Sequence, residues 1–211
     1  MLIDSFPVGP LGCTCTILVD PASKAALVID PGGDFAVIKQ KLEAAGAKVA
    51  SIVHTHTHVD HVGATAPLAA WTGAPPRIHE ADRELYELLP TQSVLLGIPV
   101  PEVADMVGDL RDQLTIRAGA IELAVLHTPG HTPGSVSFLV KTPDGPVAFT
   151  GDTLFRRGVG RTDLWGGDAG QIRKSLKERL MSLDEATLVV PGHGPATTIG
   201  EEKRANPFLR A

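Results

Sequence analysis

Ala50-Ser51-Ile52-Val53-His54-Thr55-His56-Thr57-His58-Val59-Asp60-His61 decides how this chain is read. An apolar strand runs straight into histidines spaced two apart, and then into Asp60 and His61. In a helix, a spacing of two is about 200° of rotation, which would point His56 and His58 away from each other. In extended chain, residues i and i+2 share a face. The segment continues a strand, so His56 and His58 can bind one metal ion together. Asp60 and His61 fall where the chain should turn into a helix, and they address a second position nearby.

Outward from this stretch the same pattern recurs three times. His131 follows the strand Ile121–Leu126 in Thr128-Pro129-Gly130-His131. Asp152 follows the strand Val147–Phe149 in Thr150-Gly151-Asp152, and His193 follows Leu188–Val190 in Pro191-Gly192-His193. Each time an apolar strand enters a tight glycine turn with a ligand-type side chain just beyond it. Strand ends along one sheet edge are where α/β proteins assemble sites from distant segments. The seven donors are all nitrogen or oxygen, and two divalent metal ions sharing one carboxylate would use them all. Such a set suits zinc, iron or manganese.

The rest of the chain reads as alternating strands and helices, which fits sheets covered by helices, an α/β class. Cys15–Val19 and Ala25–Ile29 form a hairpin about the turn Asp20–Ser23. Asp30-Pro31-Gly32-Gly33 breaks the chain, and Asp34 is placed to cap a helix through Ala45 that Gly46 ends. Lys48–His54 is a strand, followed by a helix from about Val62 to Trp71 and a short strand near Arg77–His79. Ala81–Leu89 reads as a surface helix. Residues 90–108 show no period and read as an irregular stretch, either a cover over a cleft or a surface loop. Strands at Val136–Val140 and Val147–Thr150 flank the turn Lys141–Pro146. A helix follows over Asp168–Leu183, and a last one over Ile199–Phe208, interrupted at Pro207.

Composition excludes several classes. The chain has 211 residues, 43% of them hydrophobic, enough for a sizeable core. Its 22 glycines and 17 prolines exceed the roughly one residue in eight of average usage and signal many shaped loops. A net charge of −5 gives no electrostatic footprint for nucleic acid or an anionic membrane. No apolar run reaches the roughly 18 residues of a membrane span. The N-terminus carries no secretory signal, and two cysteines make no disulfide framework, so a cytoplasmic protein is expected.

The motifs together resemble the metallo-β-lactamase superfamily, and within it the short bacterial subgroup of glyoxalase II (hydroxyacylglutathione hydrolase)-like proteins. The resemblance rests on Thr-His-x-His-x-Asp-His at 55–61, Thr-Pro-Gly-His-Thr at 128–132, Thr-Gly-Asp-Thr-Leu-Phe at 150–155, Gly-Arg-Thr-Asp at 160–163 and Pro-Gly-His-Gly-Pro at 191–195. It extends to Thr198–Lys203 and Asn206-Pro207-Phe208. It implies an αββα sandwich of two mixed sheets flanked by helices, a single domain over residues 1–211. It implies one ion on His56, His58 and His131, and another on Asp60, His61 and His193, with Asp152 bridging. The superfamily's β-lactamases lack a carboxylate at that bridging place, so Asp152 argues against their activity.

The implied activity is cleavage of a small-molecule thioester, foremost hydroxyacylglutathione (S-D-lactoylglutathione), to hydroxy acid and thiol. A water shared by the two ions, zinc in the first instance with iron or manganese as alternatives, would attack the acyl carbon. Asp60 would orient it and take its proton. A leaving thiol with a pKa near 8.5 can depart as thiolate without a strong acid. Arg161 is either a contact for a substrate carboxylate or a structural partner of Asp163 or Asp168. The sequence departs from the longer glyoxalase II enzymes at three places. Asp163 stands where an aromatic helps hold glutathione, Gly194 and Pro195 stand for an acidic residue and a tyrosine, and the chain ends at Ala211 without their C-terminal helical segment. The competing activity is a mononuclear iron persulfide dioxygenase of the same superfamily, which typically has Pro-Ala-His-Asp-Tyr in place of Pro191–Pro195. A non-enzymatic metal-binding or scaffold protein is a third reading. The oligomeric state is left open. Cys13 and Cys15 read as buried thiols, and His54, His79 and His127 as structural histidines.

Overall fold

The computed structural model describes residues 1–209, and the chain end at Ala211 lies outside them. The chain divides into two compact units. One comprises residues 1–110 and 117–121, and the other residues 111–116 and the chain from 122 onward.

In the first unit, strands β1 (Leu2–Val8), β2 (Cys13–Val19), β3 (Ala25–Ile29), β4 (Lys48–Val53), β5 (Pro76–His79) and β6 (Val107–Leu110) form one sheet in chain order. The first three make an antiparallel meander, whereas β3 to β6 run parallel. Parallel neighbours need crossovers, and helices supply them. They are α1 (Phe35–Ala45) after β3, α2 (Val59–Val62) with α3 (Thr65–Thr72) after β4, and α4 (Arg83–Glu87) with α5 (Leu89–Leu96) after β5. Ile17, Val28 and Ile52 of the sheet bury against Ile38 and Leu42 of α1 and Leu68 of α3. Val59, Val62, Ile78, Tyr86, Leu89 and Met106 form a second cluster.

The second sheet contains β7 (Thr115–Ala118), β8 (Ile121–His127), β9 (Val136–Thr142) and β10 (Gly145–Gly151). A small ribbon of β11 (Leu154–Phe155) and β12 (Gly158–Val159) follows, then α6 (Ala169–Ser175), β13 (Leu188–Pro191), β14 (Thr197–Thr198) and α7 (Ile199–Ala205). The strand order is β14-β13-β10-β9-β8-β7. The pair β10/β13 is parallel, and its neighbours are antiparallel. β8 and β10 therefore point the same way as β13, and all three C-terminal ends meet one edge. Ile172 and Leu176 pack with Leu180, Leu154, Val189 and Ile199. Two mixed six-stranded sheets with flanking helices agree with the class expected from sequence.

Several expectations need correction. The helix placed at Val62–Trp71 is α3, which begins at Thr65, and the short α2 precedes it. The surface helix at Ala81–Leu89 is a 3-10 turn plus α4, with Leu85, Tyr86 and Leu89 buried. The irregular stretch 90–108 opens inside α5 and closes in β6. Asp34 stands at the N-cap of α1 but makes no cap bond, because its carboxylate accepts the Gly9 amide instead. Asp168 does cap α6, accepting from the amides of Gly170 and Gln171. That helix then widens into a π-helical turn over Leu176–Leu180. The last helix stops at Ala205, and a 3-10 turn covers Pro207–Leu209.

Candidate metal centre

The first unit gathers four of the seven donors just beyond β4. His54 through His61 are all buried. The chain stays extended through His58 (φ −66°, ψ 146°) and enters α2 at Val59. Nε2 of His56 lies 3.0 Å from Nδ1 of His58, and the rings of His56 and His61 are 4.0 Å apart at their centroids. Asp60 Oδ2 stands 3.8 Å from Nε2 of His61. The two donor-atom spacings match the edges of a coordination shell, roughly 3–4 Å when metal–ligand bonds are about 2.0–2.2 Å.

Hydrogen bonds decide which ring nitrogens offer lone pairs. The buried carboxylate of Asp30 accepts from the Thr55 amide (2.7 Å), from Thr55 Oγ1 (2.6 Å) and from Nδ1 of His61 (3.0 Å). His61 thereby keeps its Nε2 for an ion. The Thr55 hydroxyl spends its proton on Asp30, so at its 3.1 Å contact with His56 it accepts from Nδ1. That leaves Nε2 of His56 as a lone pair too. One carboxylate thus sets the tautomer of two histidines, one of them through a hydroxyl relay.

Asp30 itself sits at φ 48°, in the left-handed region. Close approach of the backbone is needed beside it. A Cβ on Gly32 would collide with the Asp60 carbonyl. The pair Gly32-Gly33 is therefore a packing requirement of the loop.

The second unit gathers the other three donors at the ends of β8, β10 and β13. The Gly192 amide donates to Gly151 O (2.8 Å), tying the turns that carry Asp152 and His193 side by side. Asp152 Oδ2 is 3.7 Å from Nε2 of His131 and 3.8 Å from Nε2 of His193. His131 donates Nδ1–H to the Arg161 carbonyl (2.8 Å), which again leaves Nε2 as the lone pair. A lone pair facing a carboxylate is an acceptor pair that a cation satisfies. Gly160 makes this possible, since a Cβ there would strike the Asp152 carbonyl and crowd the His131 ring. Buried hydroxyls brace the turns. Thr128 Oγ1 meets Ser137 Oγ (3.0 Å) and Thr153 Oγ1 (3.2 Å), and Thr132 Oγ1 meets Ser135 Oγ (2.7 Å).

Four of these donors, His56, His58, Asp60 and His61, lie in the first unit, and three, His131, Asp152 and His193, in the second; each set offers side chains of the kind that hold metal ions. Arg161 is exposed and pairs with Asp163 through two bonds of 2.7 and 2.9 Å. His54 is buried between Arg77 O and Thr65 Oγ1, which is the structural role expected. Burial pushes the Cys13 thiol up to about 12 and Cys15 well above the usual range; both are free and buried. Sequence reasoning missed Asp30, which it took as part of a turn. The signal was there, in an acidic residue directly after a wholly apolar strand. Among the described residues no helix is long and apolar enough to cross a membrane.

Residues 8–193 match the metallo-β-lactamase superfamily. The chain is 36% identical to hydroxyacylglutathione hydrolase GloC of Haemophilus influenzae, over all of this chain and 99% of that one. It is similar to the crystal structure of BLEG-1 B3 metallo-β-lactamase at 35% identity, covering both chains fully, with a TM-score of 0.89. It is similar also to TTHA1623 in a di-iron-bound form, at 39% identity, 96% and 98% coverage and a TM-score of 0.84.

Proposed function

This chain belongs to the metallo-β-lactamase superfamily, and we propose that it is a metal-dependent hydrolase whose substrate is a thioester, foremost hydroxyacylglutathione. The observation that carries the reading is the fixed tautomer of His56, His61 and His131, each bonded at Nδ1 so that Nε2 is reserved for an ion. The relative named a hydroxyacylglutathione hydrolase supports the substrate class. In this reading His56, His58 and His131 would hold one ion, Asp60, His61 and His193 the other, and Asp152 would serve both. The two units act as one catalytic domain in the cytoplasm. Zinc is the proposed ion, and the di-iron form of TTHA1623 makes iron the first alternative.

Ions held there would lower the pKa of a bound water toward neutrality and polarise an acyl carbonyl. The chain's own groups do the rest. Asp60, fixed on the first turn of α2, orients the attacking water and takes its proton. Arg161 offers its guanidinium to a substrate carboxylate, exchanging Asp163 for it. The thiol leaves as thiolate, which requires no further acid.

The likeness to the BLEG-1 B3 metallo-β-lactamase favours a second reading, hydrolysis of a β-lactam. Asp152 counts against it, at the place where the resemblance implies no carboxylate in those enzymes. Purified protein, loaded with zinc or stripped of metal, is offered S-D-lactoylglutathione, a β-lactam, and glutathione persulfide with oxygen uptake recorded. Metal-dependent loss of thioester absorbance supports the thioesterase. Turnover confined to the β-lactam, or oxygen uptake with persulfide, replaces it with the β-lactamase or with the mononuclear iron dioxygenase.

A further inference from the structure

We infer that Gln92 is a positioning residue for His58, an inference that rests on the metal reading above. Gln92 lies on α5, a helix that shares no sequence neighbourhood with the histidine stretch, and it is 1% exposed. Its Oε1 accepts the Val59 amide at 2.9 Å, and its Nε2 donates to the Thr57 carbonyl at 3.3 Å and the Leu85 carbonyl at 2.8 Å. The chemistry forces this amide orientation, because a carbonyl only accepts and an amide N–H only donates.

The Thr57 carbonyl belongs to the peptide before His58, and the Val59 amide to the peptide after it. One side chain therefore grips both peptide planes flanking the His58 Cα. Fixing both planes fixes φ and ψ of His58, and with them the direction of its Cα–Cβ bond. The amides of Thr55, Thr57 and Val59 all bond to side chains, those of Asp30, Asp82 and Gln92, so the buried backbone of this stretch depends on such groups. Asp82 completes the grip by accepting the Thr57 amide at 3.1 Å, while the Thr57 hydroxyl donates to the Asp82 carbonyl at 3.0 Å. His56 and His61 are aligned through their rings by the Asp30 network. His58 is aligned through its backbone as well, and Gln92, with Asp82, does this.

Zinc titrated into metal-free protein against a chromophoric chelator tests this, with melting temperature recorded in parallel. Wild type is expected to bind two ions. Q92M, which keeps the shape and loses all three bonds, is expected to bind one ion about tenfold more weakly and the other as wild type does. L89V loosens the same apolar cluster but leaves the Gln92 bonds, so it should lower the melting temperature and bind both ions normally. Where Q92M fails to fold, Q92E takes its place. It retains an acceptor for Val59 and loses both donors, and the same ion should be weakened. Unchanged affinity for both ions in the folded variant, or an equal loss in L89V, overturns the inference. Wild type that takes up no ion overturns the metal reading itself, and this inference with it.

Discussion

Asp30 Oδ2 lies 3.0 Å from Nδ1 of His61, and both side chains are buried. The same carboxylate reaches His56 through Thr55. Two of the proposed ligands, five residues apart in sequence, are thus oriented by one acid at the end of the neighbouring parallel strand.

Replacing that acid separates stability from alignment. Asn tolerates the left-handed backbone of position 30, so D30N should fold while weakening zinc by about tenfold or more. D30A also leaves the Thr55 amide and hydroxyl and the His61 ring short of a buried partner. It should lose about 3 kcal/mol or more in denaturant unfolding. Zinc affinity equal to wild type in D30N would contradict the relay.

The carboxylate of Asp152 stands between His131 and His193. D152A should retain at most one ion, and thioester turnover should fall by about a hundredfold or more, since a metal supplies several kcal/mol of transition-state stabilisation. H58A should act similarly. Elemental analysis with steady-state kinetics checks both, and turnover near wild type in either variant would remove the assignment.

Arg161 gives a different signature. Its pair with Asp163 is exposed, so R161A should leave the melting temperature unchanged. With a carboxylate-bearing thioester, KM should rise about tenfold at nearly constant kcat, the mark of lost uniform binding. An unchanged KM would return Arg161 to a surface pair.

The acid limb of stability has a local source away from the donors. Asp20 accepts from Ser23 Oγ at 2.5 Å and from the amides of Ala120 and Ala22, and these bonds hold its carboxyl at about 2 against an ordinary 3.8. A depressed folded pKa stabilises above the unfolded value and is lost as pH falls through the folded one. The melting-temperature gap between wild type and D20N should be constant above about pH 5 and close between about pH 4 and pH 2. A gap that persists to pH 2 would contradict this.

The donors were legible because their chemistry is local. His56, His58, Asp60 and His61 declare themselves by type and spacing, and each of the other three follows a strand and a glycine. Their supports were not legible, because those bonds join distant segments: Asp30 to His61, and Gln92 to Thr57 and Val59. α5 was hidden for a related reason. It buries Gln92 and Ser93 while Val94 and Leu95 stand 80% and 60% exposed, an inversion that erases the apolar period. The edge strand β1 went unread because its residues alternate irregularly between exposed and half-buried.

The decisive measurement is thioester turnover followed during a zinc titration of the metal-free protein. A dinuclear hydrolase should gain activity until two ions are bound per chain and then level off. Full turnover at one ion, or no thioester turnover at any loading while iron-loaded protein consumes oxygen with a persulfide, would contradict it.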